Sequence, residues 1–241
     1  MKKLIFAAFL ALLAYPAQGK QRYSPAFSGG VRVSSYAPVA AAAAGGGCSG
    51  TFPDAAVLDD FNRTENPLAN GAWINGNIIS GVTDKMQADG TQATQQQASG
   101  WADQAYGTMF TTGTHEVYAT VATQPATDRI RLFCKVDSAT GASAGYELFW
   151  RGDTEVAGVF LVVAGVDSTG IGTTWSQALT DGDTWGMRCS NDASGTITVY
   201  RSGTEVASRT DTTYKDRAGY IGMGTNGNDT RLDNFGGGTC P

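Results

Sequence analysis

The chain has 241 residues, of which 41% are apolar and only 16% charged, with 32 glycines, four cysteines and a single histidine. Ordinary soluble domains are about 25% charged and about 7% glycine, so a helical bundle, a collagen, a disordered tail and chemistries needing several histidines are excluded. The formal net charge is −5, yet residues 1–50 hold five bases and no acid, which leaves twelve bases against twenty-two acids over residues 51–241. Phosphate backbones need clustered Lys and Arg, so nucleic acid is set aside as a partner.

Met1-Lys2-Lys3 is followed by an unbroken apolar run from Leu4 to Leu13, by Pro16, and by the small stretch Ala17-Gln18-Gly19. This pattern predicts a secretory signal peptide over residues 1–19. Its apolar run of about ten residues is too short to span a ~30 Å hydrocarbon core, and no later stretch resembles a membrane span. An exported protein is expected, secreted or held at a surface. Residues 20–50, with a five-alanine run and Gly45-Gly46-Gly47, show no hydrophobic periodicity and predict a flexible linker.

From Thr51 onward β-type segments recur every 8–12 residues between Gly, Asp, Asn, Ser and Thr clusters. Strands are predicted over 56–62, 72–79, 85–88, 105–110, 116–121, 130–136, 145–151, 158–163, 184–189, 196–201, 204–208, 218–222 and 231–235. Alternation assigns their faces. Ile130, Leu132, Cys134 and Val136 oppose Arg131 and Lys135, while Tyr146, Leu148 and Trp150 oppose Glu147, Phe149 and Arg151. Ile197 and Val199 face inward and Tyr200 outward, and Ser202-Gly203 makes a hairpin turn. About a dozen short strands in one body of residues 51–241 predict an all-β, two-sheet antiparallel sandwich.

Certain segments, in order, carry a resemblance: Val57-Leu-Asp-Asp-Phe-Asn-Arg63, Pro67-Leu-Ala-Asn-Gly-Ala-Trp73, Gly145-Tyr-Glu-Leu148, Ile197-Thr-Val-Tyr-Arg-Ser-Gly-Thr-Glu-Val206, Gly219-Tyr-Ile-Gly-Met-Gly224 and Leu232-Asp-Asn-Phe-Gly-Gly-Gly-Thr239. Over residues 55–239 the chain resembles the concanavalin A-like lectin/glucanase jelly rolls, in particular LamG-like modules of secreted bacterial and phage structural proteins. The resemblance implies a jelly roll whose first and last strands are neighbours, which would bring Cys48 and Cys240 together as a clasp. Cys134 and Cys189 fall on core-facing positions, and two alternatives stand for them, a disulfide or two buried thiols. Zinc is not expected, since no C-x₂-C spacing occurs.

Glycosidases of this fold carry paired carboxylates on one strand in a pattern like E-x-D-x-x-E, and the chain has none. Glu116 lacks an acidic neighbour, Glu155 sits in a turn, and Glu147 is expected to pair with Arg151. No serine occupies a G-x-S-x-G elbow, and His115 is expected to face solvent at a strand start. Calcium is the one cofactor to weigh, but the turns Asp181-Gly-Asp183, Asn191-Asp192 and Asn226-Gly-Asn228-Asp229 each fall short of the six to eight oxygens it takes. Sugar binding needs aromatic faces beside a few polar groups. The candidates are Trp101, Tyr106, Trp150 and Trp175, with Glu147 and Arg151; Trp73 and Trp185 read as core. The expected function is non-catalytic recognition of a glycan or surface protein, against a glycoside hydrolase or a purely structural or virion-decorating domain.

Overall fold

A computed structural model describes residue 48 and residues 50–69, 72–97, 100–124 and 127–240. The predicted signal peptide and the predicted linker up to residue 47 lie outside the described residues. Among the described residues there is no helix, and none therefore long and apolar enough to cross a membrane.

In chain order the strands are β1 (Val57–Asp59), β2 (Thr64–Glu65), β3 (Met86–Asp89), β4 (Ala93–Gln95), β5 (Trp101–Ala105), β6 (His115–Thr123), β7 (Arg129–Val136) and β8 (Gly145–Arg151). They continue with β9 (Val156–Val163), β10 (Val166–Gly170), β11 (Trp175–Ser176), β12 (Thr184–Cys189), β13 (Thr196–Arg201), β14 (Thr204–Thr210), β15 (Tyr220–Asn226) and β16 (Arg231–Thr239). All named strands pair antiparallel, in two sheets. One runs β14-β13-β12-β6-β16-β4-β3-β2 with β1 beside β16; the other runs β10-β9-β8-β7-β15-β5 with β11 beside β9. The chain is an all-β jelly-roll sandwich.

Alternation explains the layers. Leu132 and Cys134 of β7, Leu148 and Trp150 of β8, Val117 and Val121 of β6, and Trp185 and Met187 of β12 all turn inward and form one buried cluster. Ile197 and Val199 join it, while Tyr200 stacks outside on Phe52 with ring centroids 4.3 Å apart. The β13–β14 hairpin turns through Ser202 and Gly203, both at positive φ, the backbone that matches a right-handed strand twist. Strand β1 pairs with β16, and a disulfide joins Cys48 to Cys240.

Several expectations need correction. Residues 72–79 form no strand. Trp73 makes one bridge to Tyr106, and the following segment folds over the other sheet, burying Ile78 and Ile79 against Ala105 and Phe133. Residues 105–110 are not a strand either, since β5 lies earlier and includes Trp101. Lys135 does not share the open face with Arg131. It sits at a bulge with φ +55°, is fully buried, and donates through Nζ to the carbonyls of Gly113 and Lys215. His115 is buried rather than solvent-facing. Its Nε2 lies 2.6 Å from the Thr111 carbonyl, and burial pushes its pKa down to about 4.

Candidate functional site

Of the sequence-selected residues, three stand on the outer face of the seven-stranded sheet: Trp101, Glu147 and Arg151. The register sets out that face as three rows. The first is Trp101, Asn226, Arg129, Arg151 and Val156; the second is Asp103, Gly224, Arg131, Phe149 and Gly158; the third is Ala105, Gly222, Phe133, Glu147 and Phe160. The segment through Ile78 and Ile79 covers the third row where Ala105 and Phe133 stand. Its backbone amides are satisfied from the second row, because Ile78 and Ile79 both donate to Oδ1 of Asp103. The rows of Trp101 and Asp103 carry the polar and aromatic groups of the site.

Two glycines shape this surface. A Cβ at Gly224 would stand 2.5 Å from the Ala102 carbonyl oxygen and 2.8 Å from Cβ of Asp103. With nothing projecting there, Arg131 reaches across β15 and lays its guanidinium 3.6 Å from the centroid of the Trp101 ring. Gly158 likewise leaves room for Phe160, whose ring would lie 2.8 Å from an added Cβ. Trp101 is half-buried and also lines a cavity of about 210 Å³ with Val82, Thr83, Asp84 and Gln97.

The charges on this face are largely matched. Glu147 does not pair with Arg151, as alternation alone suggested. The strand register places Arg131 within reach instead, with Nε 3.0 Å from Glu147 Oε1, and Arg131 also bonds Asp167 of β10 at 2.7 Å. Arg151 turns to Asp153, at 2.5 and 2.6 Å. Burial pushes Glu147 well above the usual carboxylate range, with the nearby Asp167 adding to the effect and Arg131 opposing it. Burial also raises Asp103 to about 6, against the two backbone amides that it accepts. Arg129 lies 5.1 Å from the Trp101 centroid and 5.4 Å from that of Phe149. Burial and the adjacent Arg151 and Arg131 lower its pKa.

The other candidates lie elsewhere. Trp150 is withdrawn as a ligand contact: it points to the opposite side of β8, is fully buried, and donates Nε1 to the Gln177 carbonyl at 2.6 Å. Tyr106 is half-buried at the rim of the core against Trp73 and Phe235. Trp175 pairs through β11 with Ala157, at the seam where Arg209 of β14 approaches its ring to 5.0 Å. Sequence reasoning placed Arg131 on the correct face but gave it no role, and it passed over Arg129. The signal for both was their two-residue spacing in β7.

The remaining acids have structural partners. Glu116 accepts from the amides of Asp54 and Ala55 and from Arg188. It lies near the sulfurs of Cys48 and Cys240, the one grouping of metal-type donors among the described residues, and those sulfurs are bonded to each other. In the oxygen-rich turns, Asp183 accepts from Thr180, Arg201 and Ser202, and Asp192 from Ser194 and Thr196. Cys134 and Cys189 are two buried thiols, the second of the alternatives open to them.

No protein-family profile matches the chain, and no curated protein sequence matches it significantly. Solved structures do resemble it in three dimensions. A Bacillus licheniformis β-glucanase superposes with a TM-score of 0.51 at 12% identity, over 76% of this chain and 97% of its own. A prokaryotic β-1,3-1,4-glucanase (lichenase) derived from a mouse hindgut metagenome gives 0.52 at 10% identity, over 76% and 98%. The Emp46p carbohydrate recognition domain in its potassium-bound form gives 0.52 at 8% identity, over 76% and 99%. At such identities the likeness establishes architecture. The chain has the jelly-roll fold found in lectin and glucanase domains.

Proposed function

We propose that this chain is an exported, non-catalytic recognition module that holds carbohydrate on the outer face of its seven-stranded sheet. The observation that carries the reading is the half-buried Trp101 lining the cavity, with the guanidinium groups of Arg131 and Arg129 3.6 and 5.1 Å from its ring and Arg151 farther along its row. An aromatic surface with a few fixed polar groups suits the C–H faces and hydroxyls of a sugar ring. The leader predicted over residues 1–19 supports display outside the cell, at a bacterial or virion surface. A glycan array probed with the secreted protein tests the reading. Saturable binding to at least one polysaccharide is expected, and its absence across neutral, acidic and sulfated glycans would leave only a structural role.

A second reading, glycoside hydrolysis, draws on Glu147 and Asp167, a buried carboxyl raised well above the usual carboxylate range beside a second acid. Such a pair resembles the acid and base that glycosidic cleavage needs. Against it, Glu147 is 1% exposed and lies against Arg131, out of reach of a scissile oxygen. Release of reducing ends from any bound polysaccharide would favour this second reading over the first.

A further inference from the structure

Three arginines occupy neighbouring positions on the proposed binding face, and one of them is left over. Arg131 is bonded to Asp167 and ion-paired with Glu147, and Arg151 to Asp153. The Arg129 side chain has neither hydrogen bond nor ion pair among the described residues; its guanidinium lies over the rings of Trp101 and Phe149 and feels the carboxylates of Asp153 and Glu147 only at longer range. It stands directly opposite Arg151 across the β7–β8 ladder, and like charges so placed are destabilising. The body carrying this cluster has twelve bases against twenty-two acids, so three arginines side by side are not a general property of its surface. Local rules are broken without local reward chiefly where function requires it.

What relieves such a group follows from its chemistry. A guanidinium held over aromatic rings keeps its forked N–H donors, and these match a carboxylate in two parallel bonds. The rings themselves offer faces to a sugar. We infer that Arg129 is the anchor for the carboxylate of an acidic polysaccharide, a uronate chain lying along the row of Trp101, Arg129 and Arg151. The inference rests on the carbohydrate-binding reading above and names its substrate class.

Polygalacturonate and its fully methyl-esterified form share one backbone and differ in the charge at C6, which makes them the discriminating probes. Isothermal titration of the full secreted protein is expected to give roughly tenfold tighter binding to the free acid, weakening as salt is raised. Arg129→Gln is expected to abolish that difference, whereas Arg231→Gln, the same charge change on the other sheet, preserves it. Because Arg129 holds no hydrogen bond or ion pair, the Gln variant should keep its melting temperature, and a matching far-ultraviolet spectrum checks its fold. Equal binding of acid and ester, or an Arg129→Gln variant that still discriminates, overturns the inference while the carbohydrate reading stands. Binding to dextran sulfate but to no uronate overturns the carboxylate assignment. Failure to bind any glycan removes both.

Discussion

At the scale of single residues, two of the three tryptophans singled out from sequence separate cleanly. Trp101 is half-buried on the open face and Trp150 is fully enclosed. Trp101→Ala is expected to weaken glycan binding at least tenfold with little loss of stability, read by titration and by thermal melting. Trp150→Ala is expected to cost about 3–5 kcal/mol of stability, in line with other large core deletions, seen as a lower denaturation midpoint. Alternation within β8 already separated Trp150 from Glu147 and Arg151, so the opposite faces were legible. The partner of Glu147 was not, because it lies on another strand and depends on the β7–β8 register. Asp103 gives a pH signature. Its folded pKa of about 6 lies above the ordinary 3.8, so the folded state retains a proton that the unfolded chain releases. The contribution of Asp103 to stability is therefore greatest below about pH 4 and falls by roughly 3 kcal/mol as pH rises to about 6. Asp103→Asn keeps the acceptor for Ile78 and Ile79 and should flatten that slope in urea titrations from pH 3.5 to 7.

At the scale of elements, β7, β8 and β13 were readable because each alternates over five or more residues and ends at an Asp, Gly or Ser turn. The segment after Trp73 misled for a physical reason. Ile74, Ile78 and Ile79 supply the apolar content of a strand, but a carboxylate from β5 takes the amides of Ile78 and Ile79 where a neighbouring strand would have done so. Nothing in the local sequence announces a partner some twenty-five residues away. Likewise β10 is exposed along its length and lacks the inward residues by which strands are recognised. The isoleucine-bearing segment ends the open area of the proposed binding face, so its docking matters twice. Ile78→Ala is expected to destabilise the protein by about 2–4 kcal/mol, as buried Ile-to-Ala changes do. It should also increase amide hydrogen exchange at Ile78 and Ile79 before the core strands exchange. Uniform exchange across segment and core would contradict this.

At the scale of the molecule, the neighbouring first and last strands of the resemblance are present as the β1–β16 pairing. The site was less legible than the frame, because it is assembled from β5, β7, β8 and β15, which only the completed sheet brings together. The Cys48–Cys240 bond spans a sequence separation of 192 residues. In the chain-entropy account a loop of that size stabilises the fold by up to about 5 kcal/mol. Replacing both cysteines with serine should lower the melting temperature in non-reducing buffer to that of the reduced native protein, and identical melting of all three species would show the bond to be energetically idle. The bond also has a mechanical consequence. A pull applied at residue 48 against residue 240 travels through two sulfur atoms and leaves the hydrogen-bonded ladders between them unloaded. Fastened in this way, the domain can bear tension between its two ends without being unravelled strand by strand.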